Sequence, residues 1–324
     1  MEKDLHIAID GGGTKTIGVL FRKNGEILKV IRREFESNVW ISKKGVKDKT
    51  LTRVLELIND LKKDYLGELK TITFTIPGFT FVNEIEKSYP TTKVTLVGDH
   101  EAAHLACFCG EDGICLSIGT GVFSVYFCDN NRTPVILGGW GPLEEDTGSG
   151  YYAGLCLLKH LMKDFENDDY SEESKLLIEK WNIDKADIRI DLSQKLYGKN
   201  CKSRRDIAAL SHIVSSQAEK GSKISIDILD KCGRELADLV YRTYLRKGGD
   251  KCPYSVVGGF KKAGKYLLDP LFDQVNKLTD KIYYVEPKFD NYIGSVLYAL
   301  KLNGVKISKD SDAVKNVIES IKKI

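Results

Sequence analysis

The sequence contains no long hydrophobic stretch. No run of about 18 apolar residues occurs in the 324 residues, so a membrane-spanning helix is not expected. The amino-terminal stretch MEKDLHIAID also lacks the apolar segment of a signal peptide. We therefore expect a cytoplasmic protein without a membrane partner.

The sequence also lacks a large excess of positive or negative charge. The 49 Lys and Arg residues nearly balance the 46 Asp and Glu residues, and no basic run is long enough for a nucleic-acid footprint. The chain is 42% apolar and long enough for two ordinary domains. Its eight cysteines are scattered, which favours reduced, buried side chains over a disulfide framework.

Strand and helix patterns alternate along the first 110 residues, which indicates an α/β fold. Short apolar runs at Leu5–Ile9 and Thr16–Phe21 flank a glycine loop and predict a β-hairpin. Other elements are expected further along: a helix from Thr50, strands at 71–76 and 93–97, and a helix at 99–109.

The opening pattern returns about 107 residues later. ICLSIGTGVFSVYFCDNN, from Ile114, repeats the order of strand, glycine and threonine loop, strand and polar turn that begins at Ile7. Two such hairpins predict two similar domains, each offering backbone N–H groups to one polyphosphate. Two unrelated hairpins would give the same pattern.

The loop in IAIDGGGTKTIGVLF does not fit the common phosphate motifs. A P-loop would need glycines where Ile9 and Thr14 stand, and the dinucleotide fingerprint would need its third glycine at Thr16, followed by a helix. What remains is a glycine loop with two threonine hydroxyls beside a carboxylate. Because Asp10 would repel a phosphate without a cation between them, the loop indicates ATP with Mg²⁺ held by Asp10 through water.

Four motifs together resemble the N-acetylglucosamine kinases and BadF-type ATPases of the actin-like sugar kinase superfamily. They are DGGGTKT, SIGTG, GGWGPLEEDTGSGYY and VVGGF, in this order. The resemblance implies two actin-like (ribonuclease H-like) α/β domains with an interdomain cleft, and a homodimer. The first domain would comprise residues 1–110 completed by a helix at 305–324, and the second residues 111–304.

The resemblance assigns roles to individual residues. Asp99 is expected to be the general base and to contact the sugar. The expected ATP-binding residues are Gly11, Gly12, Gly13, Thr14, Lys15, Gly119, Thr120, Gly121, Gly221, Gly258 and Gly259. The expected sugar-binding residues are Asn38, Trp40, Gly139, Trp140 and Asp146.

Three of these residues have alternative structural interpretations. Asp99 and Asp146 each precede a helical pattern, where an aspartate can serve as the N-cap, and Trp140 could be a core aromatic. The sequence also departs from the family, because Val122 and Phe123 stand where serine and asparagine are common near the sugar. This departure leaves the exact sugar open.

Two metal motifs compete with the kinase interpretation. HEAAH, from His100 through Glu101 to His104, matches the H-E-x-x-H signature of zinc proteases, although no third ligand stands at the metzincin spacing. Cys107, Cys109 and Cys115 form an imperfect zinc pattern, to which His104 could contribute. The superfamily also includes iron–sulfur activators of acyl-CoA dehydratases, whose cysteine pattern is not evident here.

The second half predicts mainly helices. Residues 204–247 show two amphipathic patterns broken near Gly221, IGSVLYALKLNG resembles the last helix of the second domain, and 307–324 predicts a helix crossing back onto the first. The sequence as a whole favours an ATP-dependent kinase of a hexose, foremost N-acetylglucosamine phosphorylated at its 6-hydroxyl. Glucosamine, glucose and N-acetylmuramate remain open as substrates.

Overall fold

Two five-stranded sheets with corresponding strand order form the framework of the protein. The structure is a computed structural model that describes residues 4–12, 15–35, 37, 44–128, 133–144 and 146–324, without the side chains of 44–48, 128 and 142. The chain divides into two compact units: unit 1 comprises residues 1–113 and 286–324, and unit 2 comprises 114–285.

Unit 1 is built on one mixed sheet. Its strands lie in the order β3-β2-β1-β4-β5, antiparallel from β3 to β1 and parallel from β1 to β5. The strands are β1 (Leu5–Gly11), β2 (Thr16–Phe21), β3 (Ile27–Arg33), β4 (Leu69–Thr75) and β5 (Lys93–Leu96). The helices are α1 (Lys44–Lys62), α2 (Val82–Ser88), α3 (Asp99–Phe108), α11 (Asn291–Leu302) and α12 (Asp312–Ile321).

Both faces of this sheet are covered, which explains the nearly continuous apolar runs in its strands. Ile7 and Ile9 of β1 pack in one cluster with Leu57 of α1. Ala8, between them, points to the opposite face and packs in a second cluster with Val296 of α11. Each strand therefore supplies core residues on alternate sides.

The last two helices both lie in unit 1. The expectation for 307–324 agrees with the position of α12, whose Val314 and Val317 are buried against this unit. Helix α11, however, was expected in the second domain, and it packs against β1 and α3 instead. Its Gly294 approaches the Ala102 carbonyl of α3 so closely that a side chain there would collide with it.

Unit 2 carries the second sheet and most of the helices. The sheet order is β8-β7-β6-β9-β10, with β6, β7 and β8 antiparallel and β6, β9 and β10 parallel. The strands are β6 (Ile114–Ile118), β7 (Val122–Cys128), β8 (Thr133–Gly138), β9 (Cys252–Val257) and β10 (Ile282–Tyr284). The helices are α4 (Gly150–Asn167), α5 (Glu172–Trp181), α6 (Ile188–Tyr197), α7 (Arg204–Ala208), α8 (Ser211–Glu219), α9 (Lys223–Lys247) and α10 (Lys265–Leu278).

The two sheets correspond strand by strand. In each, a three-stranded antiparallel meander is followed by two strands that extend the sheet in parallel from the first strand. This confirms that the sequence pattern that begins at Ile7 and returns at Ile114 reflects a common fold. Among the described residues, no helix combines the length and apolar character needed to cross a membrane.

The start of α5 is tied to α4 by a buried carboxylate. Asp164 accepts hydrogen bonds from the Ser171 backbone N–H (2.9 Å), the Ser171 hydroxyl (2.6 Å) and the Ser174 hydroxyl (2.7 Å). Burial alone would raise the pKa of Asp164, but the hydrogen bonds and nearby His160 outweigh it and the pKa falls below 3.8. The carboxylate therefore stabilises this helix pair in its charged form.

An Asp164→Ala variant is expected to lose roughly 3 kcal/mol of unfolding free energy at pH 7, because the two serines lose a charged acceptor. The folded pKa is lowered, so the contribution is complete above pH 3.8 and is lost as pH falls through the folded pKa. Urea denaturation at pH 7 and near pH 3 should show the difference between wild type and variant shrinking on acidification.

Asp169→Ala is the matched control, since Asp169 is an exposed carboxylate just after the end of α4. It is expected to change the unfolding free energy by less than about 0.5 kcal/mol. Equal denaturation midpoints for Asp164→Ala and wild type at pH 7 would show that the network contributes nothing.

Candidate functional site

Two carboxylates of unit 1 lie at one edge of its sheet. Asp10 is near the carboxyl end of β1, and Asp99 begins α3, just after β5. Because β1, β4 and β5 are parallel neighbours, their carboxyl ends meet at this edge, and Thr75 at the end of β4 lies between them. The topology thus brings together residues that are 89 positions apart in the sequence.

Thr75 supports this edge and was not singled out from the sequence. Its buried hydroxyl donates to the Ile9 carbonyl (3.3 Å) and lies 2.5 Å from the hydroxyl of Ser295 on α11. A hydrogen bond from Thr75 also lowers the pKa of Asp10. Its position at the carboxyl end of a parallel strand is the signal that could have indicated it.

The charges at this edge are unfavourable without a cation. Burial and, to a smaller extent, the charge of Asp99 raise the pKa of Asp10 to about 7, against the opposing effect of Lys15. Burial also raises the pKa of Asp99, while His100 opposes the shift. Two facing carboxylates with a hydroxyl nearby form the all-oxygen donor set that Mg²⁺ prefers, so the residues fit this metal.

Gly98, and not Asp99, is the N-cap of α3. Asp99 is the first helical residue, and its carboxyl group is about one-third exposed. The interpretation of Asp99 as an N-cap is therefore wrong, and the carboxylate is accessible to a ligand.

The first glycine loop is described only in part. Gly12 donates its N–H to the Lys15 carbonyl (3.2 Å) and accepts from the Ser37 N–H (3.2 Å). Gly13, Thr14, Asn38 and Trp40 lie outside the described residues.

Thr16 does not offer its hydroxyl to a phosphate, contrary to the expectation of two loop hydroxyls. It is buried and donates to the Phe35 carbonyl (3.1 Å) and to the Ser37 hydroxyl (2.8 Å). These bonds fix the strand that leaves the loop. Lys15, in contrast, is exposed beside the loop, where its charge influences Asp10.

The second glycine loop, at residues 119–121, connects β6 to β7 in unit 2. The Gly119 N–H donates to the Gly121 carbonyl (2.8 Å), which closes the loop. At the start of α4, the Gly150 N–H donates to the Gly119 carbonyl (2.9 Å), and the Tyr151 N–H donates to the Thr120 carbonyl (3.2 Å). The loop is thus held from one side by a helix end.

Gly258 lies against the strand that leads into this loop. Its φ of +104° is rarely open to other residues, and a side chain there would collide with the Ile118 carbonyl. Gly259 follows and has open space around it. The structure therefore brings the Gly258–Gly259 pair next to the second loop, as the nucleotide-site expectation requires.

Gly221 forms the turn between α8 and α9 with a φ of +87°. This confirms a helix break at Gly221, although the segment before it contains two helices, α7 and α8, where one was expected. The turn is anchored by buried Glu173, which accepts hydrogen bonds from the hydroxyls of Ser222 and Ser225.

The expected sugar segment runs from the end of β8 to the start of α4. Gly139 and Trp140 follow β8, and Trp140 is 69% exposed, so the interpretation of a core aromatic is wrong. Asp146 is 3% exposed and pairs with Arg204 at the start of α7. Ser149 is the N-cap of α4, which excludes the capping interpretation of Asp146.

Val122 and Phe123 do not share one environment. Val122 is buried in the core of unit 2, whereas Phe123 is half-buried. A side chain on Gly139 would lie 3.6 Å from Cβ of Phe123, so Phe123 lies beside the segment expected to bind the sugar.

The chain matches the model of one protein family along most of its length. The family is the BadF/BadG/BcrA/BcrD ATPases, and the match extends over residues 7–299. The chain belongs to this ATPase family. The resemblance inferred from the four motifs is thereby confirmed.

Curated relatives of this BadF-type chain are amino-sugar kinases. The N-acetyl-D-glucosamine kinase of Dictyostelium discoideum is 28% identical over 323 residues, covering 93% of this chain and 99% of the relative. The N-acetylmuramic acid/N-acetylglucosamine kinase of Clostridium acetobutylicum is 26% identical over 302 residues, covering 90% and 97%.

Solved structures of other proteins resemble this BadF-type chain in fold. A Streptomyces griseus glucokinase of the ROK family, solved with glucose and AMPPNP, gives a TM-score of 0.58 at 14% identity, covering 92% of this chain and 98% of that chain. A Chromobacterium violaceum protein provisionally assigned as an N-acetylglucosamine kinase gives 0.70 at 20% identity, covering 91% and 98%. The expected actin-like α/β fold is confirmed.

The zinc alternatives do not fit the geometry of this BadF-type chain. Nε2 of buried His104 lies 3.2 Å from the Gly113 carbonyl, Glu101 pairs with Lys301, and His100 lies beside Asp99. The H-E-x-x-H side chains therefore have three different neighbours. Across the described ranges, no three His, Cys, Asp or Glu residues are grouped as metal ligands.

The cysteines behave as core residues in the part of the chain that the structure describes. Five of them are buried and form no disulfide bond with another described cysteine: Cys107, Cys109, Cys115, Cys232 and Cys252. Burial raises the pKa of Cys109 to about 11, which disfavours the thiolate form that metals bind. The expectation of reduced, mostly buried cysteines is confirmed for these residues.

Proposed function

We propose that this protein is an ATP-dependent sugar kinase that phosphorylates N-acetylglucosamine at its 6-hydroxyl. The observation that carries the proposal is the pair of carboxylates, Asp10 and Asp99, at one sheet edge of a BadF-type chain. The two curated amino-sugar kinases, each similar over at least 90% of this chain, support the substrate class.

In the proposed reaction, Asp99 accepts the proton of the sugar hydroxyl as its oxygen attacks the γ-phosphorus of ATP. The new oxygen–phosphorus bond forms in line as the bond from the γ-phosphorus to the bridging oxygen breaks, and ADP leaves with that electron pair. The position of Asp99 at the start of α3 and the partial exposure of its side chain support this role.

Asp10 would hold Mg²⁺ through water, and the bound metal would neutralise charge on the polyphosphate. Gly11, Gly12 and Lys15 would contact phosphate, as would Gly119, Thr120 and Gly121. Gly221 and the Gly258–Gly259 pair would lie against adenosine, where the absence of side chains permits close approach.

The remaining parts of the proposal rest on the family resemblance alone. Gly13 and Thr14 would complete the first phosphate loop, and Asn38 and Trp40 would close over the sugar. Gly139, Trp140 and Asp146 would bind the sugar hydroxyls. Homodimeric assembly and a cytoplasmic location belong to the same proposal. Sedimentation velocity of the purified chain would test the dimer.

A coupled ADP-release assay over a panel of sugars tests the proposed function. N-acetylglucosamine, N-acetylmuramate, glucosamine and glucose would each be offered with Mg-ATP, and the product identified by mass spectrometry. Sugar-dependent ADP release with an equal amount of sugar phosphate is expected. ADP release that no sugar stimulates would reject the kinase function.

N-acetylglucosamine is expected to exceed glucosamine in kcat/KM by about tenfold or more. Phe123, whose Cβ lies close to Gly139, would offer an apolar surface for the acetyl methyl, and it would desolvate the ammonium of glucosamine without giving it a partner. The comparison needs both sugars at subsaturating concentration with saturating Mg-ATP. A strong preference for glucosamine would show that N-acetylglucosamine is not the preferred substrate.

A further inference from the structure

Asp146 and Arg204 form an ion pair that links two distant segments of unit 2. The Asp146 side chain is 1% exposed and the Arg204 side chain 27% exposed. Asp146 lies in the sugar segment, whereas Arg204 is the first residue of α7. Nothing in the sequence pattern around Arg204 indicated this partner.

The backbones of both partners are fixed independently of the pair. The Asp146 N–H donates to the Gly141 carbonyl (3.2 Å), and its carbonyl accepts from the Ser149 N–H (2.9 Å). Arg204 follows Ser203, which forms a capping box with Asp206 at the start of α7. The two side chains therefore meet in one defined arrangement.

The pair uses only one oxygen of the carboxylate. Oδ2 of Asp146 accepts from Nη2 of Arg204, whereas Oδ1 is buried and makes no hydrogen bond to any residue that the structure describes. Oδ1 lies beside the second glycine loop, since a Cβ on Gly121 would be 2.8 Å from it. The same Cβ would also collide with Nη2 of Arg204, so the glycine at 121 makes room for the ion pair beside the loop.

A buried carboxylate oxygen without a partner is costly unless a ligand supplies a donor. Burial raises the pKa of Asp146 and so does the nearby Glu144 carboxylate, but the charge and hydrogen bond of Arg204 and the backbone N–H of Val122 oppose the shift. Arg204 thus favours the acceptor form of the group while bonding only to Oδ2. A sugar hydroxyl is a donor of the required kind.

We propose that Arg204 is a positioning residue that holds Asp146 through Oδ2, so that Oδ1 can accept a hydrogen bond from a hydroxyl of the sugar. The inference rests on the proposed function and extends it to a residue that does not itself touch the substrate. Arg204 should therefore act on sugar affinity and not on the transfer step or on ATP binding.

Arg204→Met is expected to raise KM for N-acetylglucosamine about tenfold to a hundredfold, the value of a hydrogen bond to a charged group. The kcat value and KM for ATP should stay within about threefold of wild type. Arg204→Lys keeps the charge but not the fork of the guanidinium, so it should restore part of the sugar affinity. Arg189→Met is the matched control, because Arg189 is 73% exposed and pairs at the surface with Glu166.

A double-mutant cycle with Asp146→Asn separates positioning from a general structural effect. If Arg204 acts through Asp146, the double variant should show a sugar KM close to that of Asp146→Asn alone. If Arg204→Met does not fold, the same double-mutant cycle can be carried out with Arg204→Lys.

Additive effects on KM, or an equal loss in kcat and ATP affinity, would overturn the inference while leaving the kinase function intact. A wild-type protein without sugar phosphorylation would reject both.

Discussion

Asp99→Asn is expected to abolish nearly all sugar phosphorylation, lowering kcat roughly 10²- to 10⁴-fold. The amide keeps the shape of the side chain but cannot accept the hydroxyl proton. ATP binding should be unchanged, and sugar binding should remain measurable by calorimetry, because the transfer step alone depends on the base. Steady-state assays with saturating Mg-ATP would measure the loss.

Glu101→Gln is the matched control on the same helix. Glu101 pairs with Lys301 and lies two residues from Asp99, so about 200° separates the two positions around the helix axis. Its loss should lower stability slightly and leave kcat within about threefold. An active Asp99→Asn variant beside an inactive Glu101→Gln variant that binds stoichiometric zinc would favour the protease motif and reject the kinase.

Asp10→Asn is expected to raise the Mg²⁺ concentration for half-maximal activity by about tenfold to a hundredfold, as is typical when a group that holds a metal through water is lost. The fold should survive, because the neutral amide no longer repels Asp99 at the shared sheet edge. Titration of Mg²⁺ at fixed ATP, together with thermal denaturation, would measure both effects.

Asp64→Asn serves as the control for this variant. Asp64 belongs to the same unit but pairs with Lys29 at the surface, far in sequence from both sheet-edge carboxylates. Its Mg²⁺ dependence should equal that of wild type. Turnover of Asp10→Asn that is unchanged at limiting Mg²⁺ would remove Asp10 from the metal site.

Much of the framework could be predicted from local patterns. The apolar runs around the two glycine loops and their common order were sufficient for the corresponding sheets, since strand pairing over short turns depends on nearby residues. Asp10 was identified by its position beside the first glycine loop, and Asp99 by the family resemblance. Each stands where an apolar strand ends, and in parallel strands such ends converge.

The features that the sequence did not indicate depend on contacts between distant segments. Arg204 looks like an ordinary charged residue at a helix start, and only folding brings it to Asp146. Helix α11 has apolar residues on most sides, a pattern that fits either unit; its contacts with β1 and α3 assign it to unit 1. The capping alternatives failed because Gly98 and Ser149 already occupy the N-cap positions.

The position of α11 also has a consequence for how the chain is made. The face of the first sheet that carries Ala8, Val19 and Phe21 is covered by side chains of α11 and α12, which come from the carboxyl-terminal segment. During synthesis on the ribosome, the strands of that face are made early. Helices α11 and α12, which cover the face, are made only after all of unit 2 has been synthesised. The nascent chain therefore passes through a stage in which an apolar sheet face is exposed, and a chaperone that shields it would act at that stage.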